Sequence, residues 1–176
     1  AYDLTIENTS TSAIVNASPS VSNMIVTGGN GKLKRGIAAG ANTYIYPLGD
    51  AVGTLQYTPI TLNFSANSTS RIVGFSVKDA ASANINVPNA PIDYLSRTWY
   101  SSENGAGGTY SYTPTLTYAT TGDINGIASN SIFASWDGAG WVVFPTTVSA
   151  PNISTTSDVS EAAGSVPLTN AELTSR

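Results

Sequence analysis

Acidic side chains in two glycine-bounded turns are the residues of this chain whose type and spacing suit a metal ion. Residues 49–53 (GDAVG) and 122–126 (GDING) offer oxygen atoms from Asp50, Asp123 and Asn125. Calcium takes several oxygen ligands from the carboxylates and backbone carbonyls of a turning loop. The second stretch matches part of a calcium loop, but its third acid and closing Glu are missing. These residues are the candidate metal ligands and Ca²⁺ the candidate cofactor, while a plain turn held by its Asp or Asn side chain is the preferred interpretation.

Two absences restrict the catalytic chemistry. The chain has no His and no Cys, which excludes Ser-His-Asp and Cys-His arrangements, imidazole or thiolate metal sites, and disulfides. A glycosidase needs only two carboxylates. However, the acids lie mainly beside glycines in turns, where local hydrogen bonding accounts for them. We therefore predict no catalytic residue and no enzymatic activity.

Aromatic side chains around a glycine-rich turn suit a second chemistry, the stacking of sugar rings on flat faces. Trp136 and Trp141 flank the turn at 137–140 (DGAG), and Tyr100 is a further aromatic of this kind. Carbohydrate-binding β-proteins expose such rings, so these three residues are the candidate glycan contacts. Burial is the competing interpretation, because Trp and Tyr usually pack in cores. Trp99, in the middle of a predicted strand, is expected to lie in the core.

The first predicted strand has a pattern suited to completing another sheet. Tyr2, Leu4 and Ile6 alternate with polar residues over 1–8, as in a strand with one buried face. A short extended strand with alternate apolar side chains can join a neighbour's sheet by β-augmentation. Tyr2, Leu4 and Ile6 are thus the candidate donor-strand residues. An ordinary first strand in the chain's own sheet is the preferred alternative.

Composition indicates an uncharged, hydroxyl-rich surface. Charged residues make up 10% of the 176 residues and the net charge is −4, whereas soluble domains average about 25% charged residues. An acidic chain without a large basic cluster does not fit nucleic acid. The one basic cluster, Lys32, Lys34 and Arg35, is interpreted as a solvated edge strand. Such a composition favours an extracellular protein, and no apolar run is long enough for a membrane helix.

Short β-runs broken by Gly, Asn, Asp and Pro must position these residues. We predict strands at 1–8, 23–27, 32–37, 42–46, 55–64, 71–78, 93–101, 109–119, 131–136 and 141–144. Residues 23–27 and 32–37 are expected to form a hairpin around the turn at 28–31, and 131–136 and 141–144 a second one. Pro114 places its part of a strand at an edge or a bulge. In the stretch 44–64, Tyr46, Tyr57, Leu62 and Phe64 are expected to pack in the core or between sheets, and in 71–78 Val73, Phe75 and Val77 are expected to face the core.

The spacing of these strands favours an all-β fold, an antiparallel β-sandwich of jelly-roll or Ig-like type with no significant helix. We divide the chain into an N-terminal strand region at 1–27, a β-sandwich module at 28–145, and a C-terminal strand or linker tail at 146–176. Because the chain starts at Ala1 without a signal peptide, we interpret it as a segment of a longer precursor.

Several short motifs occur in an order that resembles a known module. They are GKLKRGI at 31–37, YIYPLG at 44–49, YTPITL at 57–62, RTW at 97–99 and WDGAGW at 136–141. This set is similar to a β-sandwich module of secreted, multidomain, adhesin-like surface proteins of Bacteroidota that are exported by type IX secretion. The resemblance implies a β-sandwich fold and an extracellular or cell-surface location. It carries no catalytic residues.

These observations lead to one expected function and one alternative. The expected function is a non-catalytic extracellular structural or adhesive module, a building block of a cell-surface protein or surface filament that is assembled by β-strand exchange. The alternative is a carbohydrate-binding module. The expected partners are other copies of the chain, neighbouring modules of a surface protein, or polysaccharide, with no nucleic acid and no membrane insertion.

Overall fold

A computed structural model describes residues 2–14, 18–104, 107–160, 168 and 171–176. Apart from a 3₁₀ turn at Ala128–Asn130, its regular structure over these residues is β-structure, so the all-β prediction is confirmed. The strands in chain order are β1 (Leu4–Ile6), β2 (Ile25–Val26), β3 (Leu33–Ile37), β4 (Asn42–Tyr46), β5 (Leu48–Asp50), β6 (Gln56–Tyr57), β7 (Ile60–Asn67), β8 (Arg71–Lys78), β9 (Tyr94–Leu95), β10 (Thr98–Asn104), β11 (Tyr110–Thr117), β12 (Ile124–Asn125), β13 (Phe133–Trp136), β14 (Trp141–Val143), β15 (Thr146–Ser149), β16 (Asn152–Thr155), β17 (Val159–Ser160) and β18 (Glu172–Ser175).

A seven-stranded sheet forms one layer, in the order β1-β3-β8-β10-β18-β13-β14. Its neighbouring strands are antiparallel except for β1 and β3, which run parallel. Val73, Phe75 and Val77 of β8 are buried, which confirms the inward face predicted from their alternation. The strand predicted at 93–101 is divided between β9 and β10, and Trp99 of β10 is buried as expected.

A six-stranded sheet forms the second layer, in the order β15-β16-β11-β7-β4, with β17 also paired to β11. β4 and β7 are antiparallel, and Tyr46, Leu62 and Phe64 are buried as predicted, whereas Tyr57 of β6 is only half-buried. Pro114 lies inside β11, in the interval between the residues that pair with β16 and those that pair with β17. The bulge of β11 lies nearby, between Ser111 and Tyr112.

The core lies between the inner faces of these two sheets. Tyr46 of β4 meets Phe75 of β8 edge-on, with 4.9 Å between ring centroids, and its hydroxyl donates to the Val73 carbonyl at 2.9 Å. The indole N–H of Trp99 donates to the Thr58 carbonyl at 3.0 Å. These bonds satisfy the polar atoms of large buried rings, so that each ring adds apolar contact without leaving a polar group unpaired.

The predicted hairpin of 23–27 with 32–37 is wrong, although the turn between them is present. The Gly31 N–H donates to the Gly28 carbonyl at 3.1 Å. β2, however, pairs in parallel with β5 in a separate three-stranded sheet with β6. β3 already uses one backbone edge for β1 and the other for β8, so no edge of β3 is left for β2.

The interpretation of Lys32, Lys34 and Arg35 as a solvated edge is also wrong, because Arg35 is 1% exposed. Its guanidinium donates to the carbonyls of Ile45 at 2.8 Å, Ser10 at 3.1 Å and Thr11 at 3.2 Å. It also lies 4.8 Å from the ring centroid of Tyr44. Arg35 points to the same inward face of the sheet as the alternate residues of β3. Its guanidinium therefore lies on the core side, where it anchors the segment that follows β1.

Both ends of the chain take part in the two sheets. β1, from the predicted region 1–27, pairs with β3 of the predicted module 28–145. From the predicted tail 146–176, β15 and β16 extend the six-stranded sheet, and β18 lies between β10 and β13 in the seven-stranded sheet. Leu173 of β18 is fully buried. In the structure these segments therefore complete the sheets of the central module.

Candidate functional site

The three candidate glycan contacts lie in one cross-strand row on the outer face of the seven-stranded sheet. Tyr100 stands opposite Ser76 on one side and Glu172 on the other. Glu172 stands opposite Trp136, which stands opposite Trp141. Successive side chains of a strand point to opposite faces, and the strand neighbours of these aromatics include core residues, so the row faces outward. We refer to Tyr100, Trp136 and Trp141 as the aromatic row.

The predicted hairpin of β13 and β14 is confirmed and sets the two tryptophans side by side. Their ring centroids are 5.5 Å apart at 57°. The turn between them is held by Asp137, whose Oδ1 accepts the N–H groups of Ala139 at 2.9 Å and Gly140 at 3.0 Å. These bonds hold the pKa of Asp137 below its ordinary value. Both rings are half-buried, which means that each keeps part of its surface open.

The long connection between β8 and β9 lies against the tryptophan end of the row. The Trp141 indole N–H donates to the Asn84 carbonyl at 2.8 Å. The Arg176 guanidinium lies 5.6 Å from the Trp141 ring centroid and donates to the carbonyls of Val87 and Asn89, both at 2.8 Å. The role of this connection as a partial cover for Trp141 depends on these long-range bonds.

The Tyr100 end of the row is bordered by two lysines. Lys78 Nζ lies 4.8 Å from the Tyr100 ring centroid and Lys32 Nζ 6.0 Å from it. Lys32 Nζ also donates to the Tyr100 carbonyl at 3.3 Å. Burial and the neighbouring Glu172 carboxylate raise the pKa of Tyr100, so this ring carries a neutral hydroxyl at physiological pH. An ammonium near an aromatic face is an attractive arrangement.

Asp50 and Asp123, the candidate calcium ligands, are brought together by an arginine. Arg97 is fully buried; its Nε donates to Asp123 at 2.6 Å and its Nη1 to Asp50 at 2.5 Å. Its Nη2 donates to Asp123 at 3.0 Å and Asp79 at 3.3 Å, and to the side-chain Oε1 of Gln56. The two turns, far apart in sequence, therefore converge on one guanidinium.

The remaining contacts of these turns include hydrogen bonds to backbone groups nearby in sequence, of which the bond at Asp50 is that of an Asx turn. Asp50 Oδ1 accepts the N–H of Val52 at 3.1 Å, and Asp123 Oδ2 accepts the N–H of Ala119 at 2.7 Å. Asn125 directs its side-chain amide N–H to the Asp123 carbonyl at 3.4 Å. Within the described ranges, no group of three or more His, Cys, Asp or Glu side chains is arranged to hold a metal ion.

The electrostatics of this cluster are dominated by burial and by the imbalance of three carboxylates to one cation. Burial acts to lower the pKa of Arg97, but hydrogen bonds and charge from Asp123 and Asp50 outweigh it and raise that pKa. Asp79, at the outer side, has its pKa raised by burial and by the charges of Asp50 and Asp123, against the opposing effect of Arg97. The cluster thus favours the charged form of Arg97 and makes ionisation of Asp79 less favourable than that of an ordinary aspartate.

Sequence reasoning did not identify the buried arginines as a set. Arg71 pairs with Glu103 and also lies 4.4 Å from the Tyr110 ring centroid, while Arg35 is held by carbonyls. The signal available in the sequence was the position of each arginine in the alternation of its strand, which places its side chain on the inward face. Arg35 lies between Leu33 and Ile37, and Arg71 shares the inward face of its own strand.

The candidate donor strand is docked in the chain's own sheet. The N–H of Leu4 donates to the Lys32 carbonyl at 3.0 Å, and Asp3 pairs with Lys34 at 2.7 Å. The predicted burial of its apolar face holds only for Ile6, which packs against the core. Tyr2 is 98% exposed and Leu4 52% exposed. The parallel pairing at the sheet edge leaves these two side chains without a covering layer.

No protein-family model, curated protein or solved structure matches this chain. Among the residues that the structure describes, no helix is long and apolar enough to span a membrane.

Proposed function

We propose that the chain is a non-catalytic structural or adhesive module of an extracellular cell-surface protein or surface filament, assembled by exchange of β1. The observation that carries the proposal is the edge position of β1 with Tyr2 and Leu4 uncovered. The low charge content, and the order of short motifs that resembles adhesin-like surface modules, support the location. A sheet edge with exposed apolar groups is a site where another strand can add.

A second copy of the chain can supply the same strand. The contacts that β1 makes in its own sheet are a three-residue parallel register with β3, the Leu4–Lys32 backbone bond and the Asp3–Lys34 ion pair. A neighbour's β1 that docks on β3 makes these contacts without alteration. The vacated β1 is then free to dock on the next copy, which propagates the assembly.

The exchangeable unit is limited to residues 2–6, because the backbone at 9–11 is anchored to the core. The carbonyl of Thr9 accepts the Tyr44 hydroxyl at 2.9 Å, and the carbonyls of Ser10 and Thr11 accept the Arg35 guanidinium. Only Glu7 and Asn8 are left as a hinge. With so short a tether, docking in the chain's own sheet has a high effective concentration, on the order of millimolar. Exchange is therefore expected at high protein concentration.

Deleting the chain's own β1, which competes with an added strand for β3, makes the exchange measurable. A variant lacking residues 1–6 keeps the anchors at 9–11, and it is expected to bind a peptide of residues 1–8 that the full chain does not bind. Fluorescence anisotropy of a labelled peptide reports this, with a Leu4→Ser, Ile6→Ser peptide as the matched control and circular dichroism as the check of folding. If the folded variant does not bind the peptide, exchange through β1 is excluded. It is also excluded if sedimentation shows that the variant assembles as the full chain does.

Carbohydrate binding is the second candidate, and the observation that favours it is the placement of Tyr100, Trp136 and Trp141 in one outward row. Half-buried rings combine a fixed orientation with an open face. Trp136→Ala is expected to weaken binding of an oligosaccharide by about tenfold, since loss of an aromatic stacking contact costs about 1 kcal/mol or more. Phe144→Ala, which alters an aromatic away from the row, is the control in isothermal titration calorimetry. Equal loss in both variants would argue against the row as the binding face.

A further inference from the structure

All three lysines of the chain lie together on the face that carries the aromatic row. Lys32 and Lys34 alternate with the buried Leu33, and Lys34 stands opposite Gly74 of β8. Lys78 ends the same strand β8. We refer to Lys32, Lys34 and Lys78 as the basic patch. In a chain with a net charge of −4, this concentration of ammonium groups makes a local field of opposite sign.

Gly74 allows the lysine side chains to lie close across the sheet. A Cβ at this position would come within 2.6 Å of Lys34 Cγ and 2.8 Å of Ser102 Oγ, so no other residue fits without displacing them. Ser102 Oγ, buried beside Lys34, has no hydrogen-bond partner within the described part of the chain. The stem of Lys34 and the Ser102 side chain therefore close over Gly74, which holds the Lys34 side chain against the sheet.

The charge of the basic patch is only partly compensated. Lys34 pairs with Asp3, but in the described ranges neither Lys32 nor Lys78 has a carboxylate within ion-pair distance. Burial lowers the pKa of Lys32; the charges of Lys34 and Lys78 act in the same direction, and Asp3 opposes them. The ammonium groups thus repel one another around Tyr100, and an anion between them would remove that repulsion.

The Glu172 carboxylate, which neighbours Tyr100 on the adjacent strand, does not supply this compensation. Glu172 lies on the opposite side of Tyr100, where one oxygen accepts the Asn84 side-chain N–H at 3.2 Å and the other is bonded to the Ser82 hydroxyl. Both of its oxygens are therefore engaged with the β8–β9 connection rather than with a lysine.

We infer that the basic patch and Tyr100 bind an acidic oligosaccharide, one whose sugar rings carry carboxylate or sulfate groups. The inference rests on the carbohydrate-binding candidate and specifies the charge class of its ligand. A sugar ring stacks on Tyr100 while its anionic group lies between Lys32 and Lys78, and the rest of the oligosaccharide extends along the row towards Trp136. Charge complementarity selects an acidic glycan over a neutral one.

The test compares hexagalacturonate with the neutral cellohexaose in isothermal titration calorimetry at about 20 mM and about 150 mM salt. Binding of hexagalacturonate alone, weakened by salt, is expected. Lys78→Gln and Lys32→Gln should each weaken it about two- to fivefold, and Lys78→Arg should retain it. Asp3→Asn, which frees Lys34, should strengthen it by a similar factor. Asp158→Asn makes the same charge change on the other sheet, where Asp158 bonds to Ser65 and Thr113, and should have no such effect.

The outcomes separate this inference from the function on which it rests. Equal binding of cellohexaose, with the lysine variants unaffected, overturns the acidic-ligand inference and leaves carbohydrate binding in place. Binding of neither hexasaccharide overturns both. If poly-glutamate binds as tightly as hexagalacturonate, or if Asp158→Asn acts as strongly as Asp3→Asn, the patch attracts anions without recognising a glycan, and the inference fails.

Discussion

Replacing Arg97 by Met should destabilise the protein strongly, because it removes the one cation from among three carboxylates. The Arg97 guanidinium contacts Asp123 at 2.6 Å, Asp50 at 2.5 Å and Asp79 at 3.3 Å. Asp123 is fully buried and Asp50 nearly so. Met keeps the apolar stem of the side chain, so the packing is largely retained while two buried carboxylates lose their counter-charge.

Removing one partner of a buried ion pair costs about 3–5 kcal/mol. The free energy of unfolding of a domain is about 5–15 kcal/mol in total. With a urea dependence of about 2 kcal/mol per molar, such a loss lowers the unfolding midpoint by about 1.5–2.5 M. A shift of this size uses a large part of the available stability, and it is well outside the error of a titration.

Urea titration followed by tryptophan fluorescence measures the loss directly. Trp99 reports on the region, because its indole donates to Thr58, whose hydroxyl oxygen lies 3.5 Å from Arg97 Nη1. Lys78→Met is the matched control. It removes an exposed cation that has no carboxylate within ion-pair distance among the described residues, and should change the free energy of unfolding by less than about 1 kcal/mol.

A double variant distinguishes lost charge compensation from lost packing. Asp123→Asn alone is also destabilising, but in the Arg97→Met background it removes an uncompensated charge. The two effects should therefore fall short of additivity by about 1–3 kcal/mol. Additive effects, or a cost below about 1 kcal/mol for Arg97→Met, would refute the view that the guanidinium neutralises these carboxylates.

The pH dependence of stability should change in opposite directions in two aspartate variants. The folded-state pKa of Asp79 is raised above the ordinary 3.8, so the stability it contributes is present below about 3.8 and is lost as pH rises through the folded pKa. Asp79→Asn keeps an acceptor for Arg97 and should stabilise the protein relative to wild type above that range. The pKa of Asp93 is lowered by the Ile127 N–H and then by Asn130, so Asp93→Asn should destabilise at neutral pH and match wild type at low pH. Urea titrations from pH 3 to 7 check both, and the same sign in both variants would contradict the assignment.

The strand pattern was accessible from the sequence wherever a strand alternates strictly. In β7 and β8 the two-residue period identified Phe64, Val73 and Phe75 as inward, and the structure agrees. The hairpin of Trp136 and Trp141 was equally local, since Asp137 and the glycines after it specify a short turn. These features depend on neighbours in the chain, and local rules were enough.

Which strands pair with one another could not be predicted from these local sequence patterns. The Gly-rich turn at 28–31 predicted a hairpin, but β2 pairs with β5 because β3 is taken by β1 and β8. Likewise, the turns of Asp50 and Asp123 looked alike as isolated oxygen-rich loops. Their convergence on Arg97 depends on the packing of residues separated by 47 and 26 positions.

The sequence by itself determined the class of fold, the parity of each long strand and the absence of imidazole and thiol chemistry, because these depend on residue type and on a period of two. Only the tertiary structure decided which residues meet. It placed Tyr100, Trp136 and Trp141 in one row and gathered the three lysines beside that row. It also brought an arginine into ion pairs with the aspartates of the acidic turns. The physical reason is that register between distant strands is set by the packing of whole sheets, which no local stretch of the chain contains.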